Sequence, residues 1–285
     1  MFKILLTGAT GFVGSNILKE LSKYNQIFIL IRKKPTQKKF FHKNIIFVKF
    51  TDYEELNKKL KKLNIDIVIH CATHYIKNHT YKDIKKLINS NILLGNIILE
   101  NLSNMKVKKF INFSTVWQDP HPKKNNFQNL YAAYKSGFNR IVNFYRKILS
   151  NVEFFEIVLS DTFGFDDKRS KLINTLKNNF LANRTTKIVS KNLYINLLNV
   201  DDIVNGLITI TKKTTKPGQY VFKNSNDLKI YDLIKIFNKS NKNKIKVKWL
   251  STKVIKNKII KYDQLKPWAP KKSGVKDIIN YIKNK

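Results

Sequence analysis

The sequence predicts an α/β protein: a doubly wound parallel sheet with a smaller C-terminal α+β lobe. Three observations carry this expectation. The strand candidates of the first half are continuous apolar runs, as strands buried on both faces must be. They alternate with helical patterns, and right-handed crossovers wind such an alternation into one parallel sheet. The first strand also runs straight into a helix through three glycines, Gly8, Gly11 and Gly14.

Residues 2–6 form the opening strand, and Val13, Ile17, Leu18 and Leu21 follow at one-face helical spacing. Residues 26–31 and 45–50 are the next strands. Residues 54–63 read as a helix with a lysine-rich outer face, 65–72 as a buried strand and 83–102 as a helix. Residues 109–115 read as a strand, 130–149 as a long helix and 153–160 as a further strand. Beyond Gly164 the pattern is less regular. Residues 171–180 look helical, 193–198 read as a strand and 200–210 as a helix returning to the main domain. Segments 220–222, 230–237, 245–250 and 275–282 fill the small lobe. The expected division is 1–164 with 193–212 for the main domain, and 165–192 with 213–285 for the lobe.

Composition narrows the functional class. With 42% hydrophobic residues in 285, the chain fills a core without metals or disulfides. Its single cysteine, Cys71, excludes an intrachain disulfide and fits a reducing, cytoplasmic setting. The first residues are already strand, so no signal peptide is expected, and no apolar run is long enough to span a bilayer. The five histidines and lone cysteine show no metal-ligand spacing. A net charge of +36 first suggests nucleic acid. The excess, however, is mostly lysine, is spread along the chain, and accompanies abundant asparagine, isoleucine and phenylalanine, as in proteins from AT-rich genomes. Shaped phosphate recognition would favour arginine. Nucleic acid is therefore not the expected partner, although residues 238–261 are the densest basic stretch. A positive field would steer any anionic substrate toward the protein.

Three motifs carry chemistry. Strand, glycine turn and helix together hold a dinucleotide pyrophosphate. Gly8 permits the tight turn, Gly11 lets backbone approach the phosphates, and Gly14 lets helix and strand pack closely. The N–H groups around Thr10, Phe12 and Val13 then face the anion. Second, Tyr131 and Lys135 lie four apart on a helix and share a face. An ammonium beside a phenol stabilises phenolate, which makes Tyr131 a proton donor or acceptor. Third, residues 112–118 (N-F-S-T-V-W-Q) close a parallel strand at the sheet edge where ligands bind. The hydroxyls of Ser114 and Thr115 there fit substrate contact or a simple strand-end turn. At the end of the second strand stands Arg32, followed by Lys33 and Lys34, where NAD enzymes carry an acidic residue. A cation suits the 2′-phosphate of NADP(H), with NAD(H) as the alternative.

Glycines three apart in L-T-G-A-T-G-F-V-G, with Y-x-x-x-K downstream, resemble the short-chain dehydrogenase/reductase superfamily, and the T-G-A-T-G-F-V-G wording resembles its extended branch. More narrowly, N-F-S-T-V-W-Q, N-L-Y-A-A-Y-K, I-H-C-A-T-H-Y and S-D-T-F-G are similar to motifs of nucleotide-sugar 4-ketoreductases of the CDP-abequose and CDP-paratose synthase type. The resemblance implies that Thr115, with Ser114 as runner-up, orients the reacting carbonyl, that Tyr131 protonates it and that Lys135 holds the nicotinamide ribose. It places Asp52 near the adenine and Ala72 against the cofactor. Asn91 would support Lys135 through water, unless it is a helix cap or helix-surface residue. His74, Trp117, Asp161 and Arg169 become the expected substrate contacts.

Related dehydratases place Asp-Glu directly after the catalytic Thr. Here Val116 and Trp117 follow Thr115, and neither transfers a proton, so dehydration is not expected. The segment from Tyr194 also lacks an arginine that some epimerases use for the substrate pyrophosphate. The resemblance thus implies NADPH-dependent reduction of the C4 keto group of a nucleotide-linked 4-keto-6-deoxy sugar, in surface-polysaccharide biosynthesis. An NAD-dependent 4-epimerase is the nearest alternative. A non-catalytic relative that binds nucleic acid is the alternative of another class. Family members often form homodimers through the helices expected at 83–102 and 130–149.

Overall fold

The apolar runs of the first half form strands β1 (Lys3–Thr7), β2 (Gln26–Ile31), β3 (Ile45–Lys49), β4 (Ile67–His70), β5 (Lys109–Thr115) and β6 (Glu153–Leu159). The structure is a computed structural model, and it describes residues 1–33, 35–37, 40–119, 127–212, 215–256 and 262–284. Within the large sheet the order is β3-β2-β1-β4-β5-β6, then the strand Gly218–Phe222. The β1–β2, β1–β4, β2–β3 and β4–β5 pairs are parallel. The order reverses between β1 and β4, which opens a crevice at the carboxyl ends of these two strands.

Helices α1 (Phe12–Leu21), α2 (Tyr53–Leu60), α3 (Tyr81–Ile88), α4 (Leu94–Glu100) and α5 (Leu130–Ile148) join the strands. Leu5, Val68, Phe110 and Phe154 of the sheet pack with Leu56, Leu60, Ile98, Leu99, Phe138 and Val142 of the helices. Each such side chain stabilises the fold by roughly 1.5–3 kcal/mol through removal from water. The helix expected at 83–102 is not continuous. A π-helical turn, Asn89–Leu93, separates α3 from α4.

The chain divides into two compact units, Met1–Val158 with Ile210–Tyr220, and Leu159–Thr209 with Val221–Lys285. In the second, helices Leu172–Leu181, Ile230–Ser240 and Val275–Lys283 surround a core containing Phe163, Ile173, Leu176, Leu233, Phe237 and Ile282. Short strands pair around it, Leu197–Asn199 with Asp161–Phe163 and Val247–Trp249 with Thr186–Ile188.

Three placements differ from the sequence reading. Residues 193–209 cluster with the second unit rather than returning to the first, because Leu193, Ile195 and Leu197 point into the second core. The segment 220–222, expected in the lobe, ends a strand of the large sheet beside β6. The strand expected at 193–198 is two, Leu193–Ile195 and Leu197–Asn199. It breaks at Asn196, whose side chain accepts from Asn224 N at 2.8 Å and donates to Asp227 Oδ1 at 3.0 Å.

Candidate active site

The glycine turn is built by close approach. Gly8 has φ +68°, and a Cβ there would lie 2.7 Å from Ala72 N. Gly11 N donates to Gly8 O at 2.9 Å, closing the turn. A Cβ on Gly14 would lie 2.2 Å from Gly8 O, so only glycine lets α1 rest on the turn. Thr10 and Gly11 are exposed, and Phe12 and Val13 are half-buried. Gly11 is the N-cap of α1. No side chain caps that end, and its first turn holds no acidic residue. A helix start of this kind accepts an anion.

Behind the turn, Thr7 Oγ1 accepts from Ala72 N at 3.0 Å and lies 3.0 Å from His70 Nδ1. This ties the carboxyl ends of β1 and β4 together. Burial, and secondarily the charge of Lys135, pushes the His70 pKa down to about 3, so the ring is neutral. Thr7 and His70 lie inside the glycine-turn and I-H-C-A-T-H-Y motifs, but their pairing, across 63 positions, was not legible in the sequence.

Asn91 occupies the π-turn and is buried. It is neither a cap nor a surface residue. Its Oδ1 accepts from Thr73 Oγ1 at 2.7 Å and from His74 N at 3.0 Å, and its Nδ2 donates to His74 O at 3.0 Å. It therefore pins the loop leaving β4. On that loop His74 is half-buried, with its Nε2 enclosed and without a hydrogen-bond partner among the described residues. Burial, then the charge of Lys86, lowers its pKa.

At the end of β5 the two hydroxyls diverge. Ser114 Oγ donates to Gln118 Oε1 and is buried. Thr115 is half-buried, and its Oγ1 accepts from Trp117 N at 3.3 Å, opening the short 3-10 helix Val116–Gln118. Its hydroxyl hydrogen remains available to a carbonyl oxygen, while Ser114's is engaged within the fold.

Asn129 caps α5 by accepting from Ala132 N at 2.9 Å. The cap sets Tyr131 in the first turn and Lys135 one turn further on the same face. Tyr131 is buried, edge-on to Tyr75 with 5.2 Å between ring centroids, and Tyr75 lies 5.9 Å from the Trp117 ring. Lys135 is buried, and its Nζ donates to Phe113 O at 2.6 Å. Burial lowers its pKa to about 8, against the opposing fields of Glu156 and Cys71. The Cys71 thiol is itself pushed well up by burial. The buried Glu156 and Gln118 and the half-buried Gln219 form a polar group of which the sequence motifs held only Gln118. Gln118 Nε2 donates to Glu156 Oε1 at 2.8 Å and Gln219 Nε2 to Glu156 Oε2 at 2.5 Å.

Arg32 is exposed at the end of β2. Its Nη2 donates to Tyr53 OH at 3.0 Å, and its guanidinium lies 5.9 Å from the Phe50 and Tyr53 ring centres. Lys33 beside it is exposed, and Lys34 lies outside the described residues. Asp52 caps α2, its Oδ1 accepting from Glu55 N at 2.8 Å, and this bond holds its carboxyl below the usual range.

Asp161 and Arg169 belong to the second unit. Burial raises the Asp161 pKa, opposed by the charges of Lys171 and Arg169. Arg169 is locked rather than loose. Nε and Nη2 donate to the two oxygens of Asp167, each at 2.7 Å, and Nη2 also reaches Thr162 Oγ1 at 2.8 Å. Among the described residues no group of three His, Cys, Asp or Glu side chains is placed to hold a metal, and no helix is long and apolar enough to cross a membrane.

Comparison with known proteins agrees with this geometry. The family model for the NAD dependent epimerase/dehydratase family matches residues 4–222. CDP-abequose synthase of Yersinia pseudotuberculosis is 27% identical over 220 residues, covering 76% of this chain and 75% of that protein. The dTDP-D-glucose 4,6-dehydratase of Dictyostelium discoideum is 29% identical over 251 residues, covering 74% and 56%. Among solved structures, UDP-glucuronic acid 4-epimerase from Bacillus cereus in complex with NAD superposes with a TM-score of 0.79 at 21% identity, covering 99% and 96% of the two chains. UDP-glucose 4-epimerase of Thermus thermophilus in complex with NAD gives 0.78 at 15% identity, covering 98% of each. From the glycine turn through β5 to the strand Gly218–Phe222, the chain belongs to the NAD dependent epimerase/dehydratase family, within the extended short-chain dehydrogenases.

Proposed function

We propose that the protein is an NADPH-dependent reductase of the C4 keto group of a nucleotide-linked 4-keto-6-deoxy sugar. The observation that carries this reading is the turn after β5. Thr115 sits with Tyr131 and Lys135 in one unit, and Val116 and Trp117 follow it where a dehydratase needs an acid and a base. The CDP-abequose synthase relatives support the same assignment.

The residues present fit a dinucleotide. Gly8 and Gly14 form a cradle that any Cβ would fill, and the start of α1 is uncapped. Thr10, Gly11, Phe12 and Val13 would border the pyrophosphate, Ala72 the turn, Asp52 the adenine side, and Arg32 the 2′-phosphate. When bound, the dinucleotide supplies the hydride. Thr115 donates a hydrogen bond to the carbonyl oxygen, and Tyr131 gives that oxygen a proton as the C=O electron pair moves onto it. Lys135 would hold the ribose. Asn91 fixes Thr73 and His74. His74 and Trp117 would contact the sugar nucleotide. The product serves surface-polysaccharide synthesis in the cytoplasm, and the protein works as a homodimer.

Loss of NADPH absorbance against a panel of CDP-, GDP- and dTDP-4-keto sugars tests the reading, and no oxidation with any of them overturns it. Arg32→Asp should shift preference toward NADH. Equal or better NADH use by the unmodified protein would refute the NADP assignment. A second reading, an NAD-dependent 4-epimerase, is favoured by the NAD-bound epimerases that share the fold. It predicts nucleotide that copurifies and sugar interconversion without net oxidation.

A further inference from the structure

Strand β6 carries a carboxylate where its neighbours are apolar. Glu156 is fully buried between Phe155 and Ile157, and the proposed reaction does not use it. A carboxylate persists in such a place only when its oxygens are satisfied and its charge is compensated. Both oxygens are satisfied by amides, Oε1 by Gln118 Nε2 at 2.8 Å and Oε2 by Gln219 Nε2 at 2.5 Å. Burial raises its pKa, and those two amides, the charge of Lys135 and the Ser114 hydroxyl pull it back down. Amides do not cancel a charge. Compensation falls to the cations of α5: the buried Lys135, whose Nζ bonds Phe113 O beside the chain of bonds from Ser114 through Gln118 to Glu156, and the partly buried Arg146, both of which feel the field of Glu156.

The Gln118 amide has a fixed polarity. Its Nε2 points at Glu156 and its Oε1 receives Ser114 Oγ. An acceptor at position 156 therefore decides which way Gln118 faces, and Gln118 with Ser114 brackets Thr115. Trp117, within the same turn, packs on Tyr75, which meets Tyr131 edge-on.

We propose that Glu156 is a positioning residue of the active site: through Gln118 it fixes the turn that presents Thr115 and Trp117, and its buried negative charge is the counter-charge of the Lys135 ammonium. The proposal rests on the reading of Thr115, Tyr131 and Lys135 as the reacting group. Around Lys135 also lie Tyr131, one turn earlier on α5, and the two groups at the end of β4, Cys71 and His70. Both are uncharged, His70 by desolvation and Cys71 likewise, so neither substitutes for the carboxylate.

Glu156→Gln tests this, because it keeps the shape and an acceptor for Gln118 while removing the charge. In the nucleotide-free protein, an NMR titration of the lysine side chains should show one lysine with a midpoint at about 8, assigned by its loss in Lys135→Arg. Without the carboxylate field that midpoint falls by about one pH unit. In turnover, kcat falls about tenfold at pH 8 with KM for the sugar little changed, and the alkaline limb of the rate profile moves to lower pH. A folded Glu156→Gln protein with the Lys135 midpoint or the alkaline limb unmoved overturns the proposal. If that variant does not fold, Gln118→Met cuts the link and keeps the carboxylate. It should lower kcat about tenfold with the Lys135 midpoint at its original value, and an unchanged kcat overturns the proposal. The titration needs neither nucleotide nor sugar. A protein that turns over none of the keto sugars therefore sinks the reductase reading and leaves the Glu156 test standing.

Discussion

Ser114 and Thr115 are adjacent hydroxyls at one strand end, and only their bonds separate them. Ser114 turns inward to Gln118, while Thr115 faces the rim with a hydrogen left to give. In the proposed reaction Tyr131, in the first turn of α5, is the proton source. Tyr131→Phe should cut the reductase rate by about 10²–10⁴-fold with the circular dichroism spectrum unchanged. A variant retaining most of the rate would remove Tyr131 from the chemistry. Lys135 also leaves a mark on stability. Its folded-state pKa, about 8, lies below its ordinary value of 10.5. Between these values the unfolded chain holds more protons than the folded one, so the Lys135 contribution makes the protein more stable as pH rises from about 8 to 10. Denaturant melts across that window should show a gain that Lys135→Met abolishes. The same slope in both proteins would assign it elsewhere. Tyr131 and Lys135 were legible as one helix face because only four positions separate them. Glu156 and Gln219 were not, since 63 positions separate two side chains that touch.

Among the elements, the boundaries set by local signals came through. Residues 26–31 and 109–115 are strands with the bounds expected of them, and α5 begins at Leu130 where Asn129 caps it. The helix 83–102 did not, because its interruption serves a distant loop. The π-turn swings Asn91 onto Thr73 and His74. π-turns of this kind recur at functional sites. Asn91→Leu strands the three backbone and hydroxyl partners, so it should cost about 1–3 kcal/mol in unfolding free energy. It should also weaken substrate binding more than it slows turnover, through the released His74. Thermal melts with sugar KM values check both, and an unchanged KM would divorce the loop from the substrate. The break at Asn196 has the same origin, a side chain satisfied by residues near 224 and 227.

For the whole molecule, a charge of +36 is a self-repulsion that the fold must outweigh. Eight acid–base pairs connect described residues, five of them within four positions of each other in the sequence, so they do little to neutralise the field at a distance. Raising the salt from about 0.01 to 0.15 M shortens the screening length from about 30 to 8 Å. The melting temperature should therefore rise over that range, and a fall would show that local attractions outweigh the repulsion.

The sequence alone determined the sheet-and-helix alternation, the glycine turn and the shared helix face of Tyr131 and Lys135. Each rests on chain-local spacing, which backbone geometry converts directly into a shared face or a turn. Tertiary structure decided the rest. It placed the strand Gly218–Phe222 beside β6 and residues 193–209 in the second unit, and it set Glu156 against Gln118 of the turn after β5. Those choices depend on which distant apolar faces and buried polar groups satisfy one another, and no periodicity along the chain encodes a partner.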